Sequence, residues 1–188
     1  MAKISYLKLI MVLLTLFFIW KGIKEFYSQN PELLFDNFLT IALLLILLFQ
    51  YSKWKFNKLS VIIALSALGL HHAKLYGTFF YSIPFDRIMH FVGTFALALI
   101  IYQMIKPSQK NVFTTALITI LITMGLGTII EHQEFIGYSI IGEGEGILGY
   151  GAGDWGEWNN ISWDLIYNTL GAIVAALLSL LSYKNIEK

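Results

Sequence analysis

The sequence predicts an all-α protein, a polytopic transmembrane bundle of about six helices with both termini cytoplasmic. Three observations lead there. Of the 188 residues, 57% are hydrophobic and only 13% charged, whereas soluble domains carry about 25% charged residues. The apolar residues gather into runs near the length, roughly 17–25 residues, that a helix needs to cross a bilayer. The basic residues divide unequally between alternate connections, as the positive-inside rule expects. So little charge argues against a soluble enzyme, a disordered chain and a nucleic-acid binder. The absence of cysteine excludes disulfides, cysteine-ligated zinc, iron–sulfur centres and thiol catalysis.

The whole chain, residues 1–188, reads as a single transmembrane domain. The first span is expected at about residues 4–20, with Lys8 near its start, where its stem can snorkel. Lys3 and Lys8 ahead of an apolar run resemble the start of a signal peptide. No small-x-small cleavage site follows Trp20, however, and the chain continues Lys21-Gly22-Ile23-Lys24, so the segment reads as a retained span. The second is expected at 33–51, with Asp36 and Asn37 near one end, and the third at 59–76. The fourth covers 88–105 and the fifth 112–130, the latter with Gly125 and Gly127. The sixth, 163–183, carries Gly171 with Ala175 and Ala172 with Ala176, small residues four apart that suit close helix packing.

With six spans, Lys3, Lys8, Lys53, Lys55, Lys58, Lys106, Lys110, Lys184 and Lys188 fall on one side. Lys21, Lys24, Lys74 and Arg87 fall on the other. The first set marks the cytoplasmic face. Of the acidic residues only Glu187 joins it. The expected location is the cell (inner) membrane, multi-pass.

One long connection is expected, over 137–162. Its glycines, from Gly137 to Gly156, oppose a stable helix. It also holds Glu143, Glu145, Asp154 and Glu157 with Tyr150, Trp155 and Trp158. A loop of this length reads either as a lid or as an interfacial segment with its Trp rings at headgroup level.

Ionisable residues at membrane depth are costly and tend to face a bundle interior or a wet cavity. Here they gather at span ends that share the outer side. These are His71 and His72 on the third, Asp86, Arg87 and His90 on the fourth, Glu131, His132 and Glu134 on the fifth, and Asp164 and Asn168 on the sixth. Asp86 and His90 are four apart and share a helical face, as do Asp164 and Asn168; Glu131 and Glu134 are three apart. Carboxylates, imidazoles and an amide converging in this way suit a divalent cation or acid–base chemistry. The plainer alternative is a structural network. In it Asp86 and Asp164 cap helices, Arg87 pairs with Glu131 or Glu134, and a histidine bonds a backbone carbonyl. His132 and Glu32 carry less weight, since either can simply face headgroups.

The run Gly69-Leu70-His71-His72, Tyr76-Gly77 and Phe85-Asp86-Arg87-Ile88-Met89-His90-Phe91 resembles the YjdF-like family of bacterial and archaeal membrane proteins. Glu131-His132-Gln133-Glu134, Gly153-Asp154 and Asp164-Leu165 through Asn168-Thr169-Leu170-Gly171-Ala172 follow in the family's order. The resemblance covers about residues 59–180. The order also looks like that of VanZ-like proteins, linked to glycopeptide resistance and envelope functions, although Glu131 and Gln133 stand closer than that pattern has them. The resemblance implies a membrane fold and candidate positions, and brings no reaction.

The leading expectation is therefore a metal-assisted or acid–base site opening to the outer side that acts on a lipid-linked or envelope substrate, a divalent metal ion being the candidate cofactor. Its catalytic residues are Asp86, His90, Glu131 and Asp164. Its substrate contacts are Arg87, Asn168 and Asp154. Its metal ligands are drawn from His72, His90, Glu131, Glu134 and Asp164. The partners are the bilayer and that substrate, with no nucleic acid. A small transporter or ion pathway and a non-catalytic envelope assembly factor are the alternatives.

Overall fold

The computed structural model describes residues 5–54, 56–141 and 157–184. It is all-α apart from one short hairpin. In chain order the helices are α1 (Tyr6–Tyr27), α2 (Pro31–Lys53), α3 (Lys58–His71), α4 (Phe85–Ile105), α5 (Val112–Ile141) and α6 (Glu157–Lys184). Strands β1 (Phe79–Phe80) and β2 (Ile83–Pro84) pair antiparallel ahead of α4, and a 3-10 turn, Lys106–Ser108, follows it. Among the described residues, five helices are long and apolar enough to cross a membrane: Tyr6–Tyr27, Leu33–Lys53, Phe85–Ser108, Val112–Ile136 and Asn159–Ser182. Together they make this a multi-pass protein embedded in a lipid bilayer.

Two expectations about element ends change. The third segment is helical over only 14 residues, Lys58–His71. At 1.5 Å per residue that is about 21 Å, against a hydrocarbon core of about 30 Å. The chain leaves the helix through the turns after His71, and Gly77 there adopts φ +84°, a conformation that favours glycine. The loop expected over 137–162 is helical at both ends, since α5 runs on to Ile141 and α6 begins at Glu157. Gly137 stands alone among helix-compatible neighbours, and a single glycine costs a helix only about 1 kcal/mol. No glycine follows Gly156 until Gly171, so nothing delays the start of α6. The expected lid falls largely on 142–156, outside the described residues.

The chain gathers into two compact units, Met1–Ile62 with Glu134–Tyr150, and Ile63–Gln133 with Gly151–Lys188. In the first, α1 and α2 pack together. Asn30 starts α2 by accepting a hydrogen bond from the Leu33 amide at 3.1 Å, and Pro31 follows at a position where its missing N–H costs nothing. Gly22 of α1 lies against Asn37 and Leu34 of α2.

The second unit carries α4, most of α5, and α6. The pairing of Gly171 with Phe91, and of Ala176 and Leu180 with Tyr102, shows that α4 and α6 run parallel. Segment α5 runs the other way, with Gly127 against Asn168 and Ala116 beside Tyr102 and Ala176. The small residues Ala172, Ala175 and Ala176 are buried, whereas Leu121, Ile129, Leu177 and Leu178 are exposed. Large side chains outside and small ones between helices is the pattern of a bundle solvated by lipid.

Candidate functional site

The parallel run of α4 and α6, with α5 reversed, brings the start of α4 level with residues inside α5 and α6. At that level stand Asp86 and His90 of α4, Glu131 of α5, and Asp164 and Asn168 of α6. Two glycines set the spacing. A Cβ on Gly171 would collide with the Phe91 carbonyl oxygen and with Thr94 Oγ1, and would lie 3.0 Å from the Phe95 nitrogen. Only glycine lets α6 come this close to α4. Thr94 in turn donates its hydroxyl to the His90 carbonyl at 2.6 Å. On α5, a Cβ on Gly127 would lie 3.0 Å from Asn168 Nδ2 and 3.1 Å from its Cγ, so this glycine makes room for the amide.

His90 is the centre of the group. Its Nδ1 lies 3.2 Å from Glu131 Oε1. Asn168 Nδ2 donates to that same oxygen at 3.1 Å. With Nδ1 carrying a proton toward Glu131, the lone pair of Nε2 points the other way. There Nε2 faces Asp86 Oδ1 at 3.6 Å and Asp164 Oδ2 at 3.9 Å. Both separations exceed hydrogen-bond range. One ligand atom from each of Asp86, His90 and Asp164 lies within 4.8 Å of the other two.

Burial makes this arrangement demanding. Asp164 is 0% exposed, and Glu131 and Asn168 are each 2% exposed. Among the described residues, neither carboxylate oxygen of Asp164 has a hydrogen-bond partner, nor does Glu131 Oε2. A buried carboxylate without hydrogen bonds or a counter-charge is strongly unfavourable. Donor atoms bound to one cation at about 2.0–2.2 Å lie roughly 3–4 Å apart, close to the 3.6 and 3.9 Å found around Nε2.

Arg87 does not bridge to an acid within ion-pair distance among the described residues. Its guanidinium lies over the Trp163 ring, 4.9 Å from the centroid. Asp86-Arg87 on α4 is thus matched by Trp163-Asp164 on α6, the acids together and the cation on the indole. Nor does Asp86 cap its helix: Pro84 holds the cap position, and Asp86 sits in the first turn, where the helix dipole favours a negative charge.

Of the other expected residues, His72 and His132 stand outside this group, Glu134 follows Glu131 on α5, and Asp154 lies outside the described chain. His71 and His72 end α3 and enter the turn after it, ring against ring at 5.1 Å, and His71 Nδ1 meets the Tyr76 hydroxyl at 2.6 Å. His72 is not among the residues within ligating distance of His90. Glu134 lies one turn beyond Glu131 on α5, in the segment assigned to the other compact unit. His132 is exposed and its Nδ1 bonds the Thr128 carbonyl at 2.7 Å. Asp154 falls outside the described residues. Trp163 and Thr94 carry no signal in the sequence, because their roles depend on which helices become neighbours.

No curated protein and no solved structure matches the chain. A family of predicted membrane proteins, DUF2238, matches it over residues 6–185, a range that takes in every described helix. With nearly its whole length matched, including Asp86, His90, Glu131, Asp164 and Asn168, the chain belongs to the DUF2238 family of predicted membrane proteins.

Proposed function

We propose that this protein is a metal-dependent membrane enzyme whose cation is held by Asp86, His90 and Asp164 and whose substrate is a phosphate-bearing, lipid-linked or envelope molecule. One observation carries the reading. Asp164, fully buried and without a hydrogen-bond partner among the described residues, faces a histidine nitrogen whose ring is fixed from its far side by Glu131 and Asn168. A carboxylate orienting a histidine whose other nitrogen faces outward is the recurrent outer shell of metal sites. Two carboxylates and a neutral imidazole offer two negative charges, matched by a divalent cation. Three protein ligands leave positions open for water or substrate.

A bound cation would polarise a phosphoryl oxygen and a water molecule. The residues supply the rest. Arg87, beside the ligand Asp86, offers its guanidinium edge to an anionic group while its face rests on Trp163. Asp164 Oδ1, buried and without a hydrogen-bond partner among the described residues, is the oxygen beside the cation available to take a proton from the attacking water. Hydrolysis would add that water across a P–O bond and release an alcohol and a phosphate. Lys106, Lys110 and Lys184 lie at or beyond the opposite ends of α4, α5 and α6. This supports a site on the extracytoplasmic face of the cell membrane. The weaker VanZ-like likeness agrees with an envelope substrate, while the YjdF-like one brings no reaction.

Purified protein should hold one divalent cation per chain after dialysis, measured by elemental mass spectrometry. Asp86→Ala and His90→Ala should lose it. Wild-type protein free of metal, or metal unchanged in both variants, would count against the centre.

A second reading rests on a different observation. Glu131, Gly127, Thr123, Thr119 and Thr115 follow at four-residue spacing along α5, and the three threonines are fully buried. This small and polar ridge leads away from the site, in keeping with an ion or proton pathway. Each threonine hydroxyl, however, is bonded to the carbonyl four residues back. Proton flux into liposomes, abolished by Thr119→Val, would favour this second reading.

A further inference from the structure

The hairpin ahead of α4 has no role in the cation site. Phe80 pairs with Ile83 and Phe79 with Pro84, leaving Tyr81 and Ser82 as a two-residue turn. Both turn residues have positive φ, 48° at Tyr81 and 68° at Ser82. That is the tight hairpin turn in which glycine and asparagine are favoured, and a bulky residue there is strained. The sequence nevertheless places an aromatic ring at the tip. Around it the apolar surface is open: Phe79 is 65% exposed, Phe80 64% and Tyr81 90%.

This hairpin is joined firmly to α4. The Phe85 amide donates to the Thr78 carbonyl at 2.9 Å, and the Tyr76 ring meets Phe85 edge-on at 5.5 Å. Helix α4 has 21 residues, about 31 Å at 1.5 Å per residue, which matches a hydrocarbon core of about 30 Å. Phe85 therefore stands near the edge of that core. At about 3.3 Å per strand residue the tip reaches no more than roughly 10 Å from Phe85. The headgroup layer on each side is about 5–7 Å deep, so the aromatic side chains cannot clear it by much. Tyrosine and other amphipathic aromatics are enriched at this level.

We infer that the hairpin tip, Phe79, Phe80 and Tyr81, is seated in the interfacial layer of the lipid bilayer. It acts as an anchor that fixes the depth of Asp86 and His90 in the first turns of α4. Its occupant is lipid, because the hairpin continues without a break into a membrane-spanning helix. The inference rests on membrane embedding alone and not on the metal reading.

The cysteine-free sequence allows a clean test. Single cysteines at Phe80→Cys and Tyr81→Cys, with Lys110→Cys as an exposed control between α4 and α5, are given nitroxide labels in the full chain. The protein is reconstituted into phosphatidylcholine vesicles. Power saturation with oxygen and with a water-soluble nickel chelate should give oxygen the advantage at 80 and 81 and the chelate the advantage at 110. A chelate advantage at 80 and 81 would overturn the inference, as would spin–spin broadening between labels on two copies. Tyr81→Gly removes the ring and relieves the turn, so it should fold at least as well. In that background the label at 80 should become more accessible to the chelate, and an unchanged label would count against the anchor.

Discussion

His90 Nδ1 and Glu131 Oε1 meet at 3.2 Å, joining residues of α4 and α5 that are 41 positions apart in the chain, and the Asn168 amide of α6 bonds that same oxygen. Three helices are thus tied through one carboxylate oxygen. The contact fixes the imidazole plane and directs Nε2 at Asp86 and Asp164. Most of the account's consequences follow from this direction.

Loss of the outer contact should weaken the centre without abolishing it. Glu131→Gln and Asn168→Ala should each lower metal affinity by about 10–100-fold, the usual cost of removing an orienting partner. Gly127→Ala should act on the same bond from the α5 side, because its methyl would displace the Asn168 amide. Metal titration followed by fluorescence checks all three. Affinities equal to wild type would remove Glu131 and Asn168 from the site.

Close approach of α4 and α6 should depend on one glycine and not on another. Gly171→Ala should destabilise the folded protein by about 1–3 kcal/mol, the range for forcing extra volume into a packed interface. Gly93→Ala on α4 has nothing within 4 Å of the added methyl and should be neutral or mildly stabilising. Thermal unfolding in detergent distinguishes the two variants. Equal effects would contradict the packing described.

Sidedness has its own test, again helped by the absence of cysteine. Thr78→Cys, near the hairpin, and Lys110→Cys, at the other end of α4, should react with a membrane-impermeant maleimide from opposite sides of intact cells or oriented vesicles. Thr78→Cys should label from outside. Labelling of both from one side would contradict the span assigned to α4.

The helices were legible in the sequence because the cost of unpaired backbone groups in lipid forces long apolar runs into helices. Residues 88–105 were read as a span, and α4 contains them. Composition was a poorer guide at the ends. The segment from 59 was read as a span to Tyr76, yet the helix stops at His71 and the backbone turns through Lys74 at φ 52°, a matter of local φ and not of hydropathy. Gly137 was read as a loop residue and lies within α5. Asp86 with His90, and Asp164 with Asn168, were visible as helical faces because their spacing is local. The pairing of Arg87 with Trp163 was not, since it depends on Gly171 bringing α6 against α4, and no spacing rule connects residues in different helices. The same holds for the division of labour at His90: the sequence offered the carboxylates, but not which one orients the ring and which two face Nε2.

The central claim, that a cation sits at Nε2 of His90, is tested most directly by electron spin-echo envelope modulation of the protein loaded with Mn²⁺. The account predicts modulation from one imidazole nitrogen in the wild type and its disappearance in His90→Gln. Failure to bind Mn²⁺ or any other divalent cation, or nitrogen modulation that persists in His90→Gln, would contradict it.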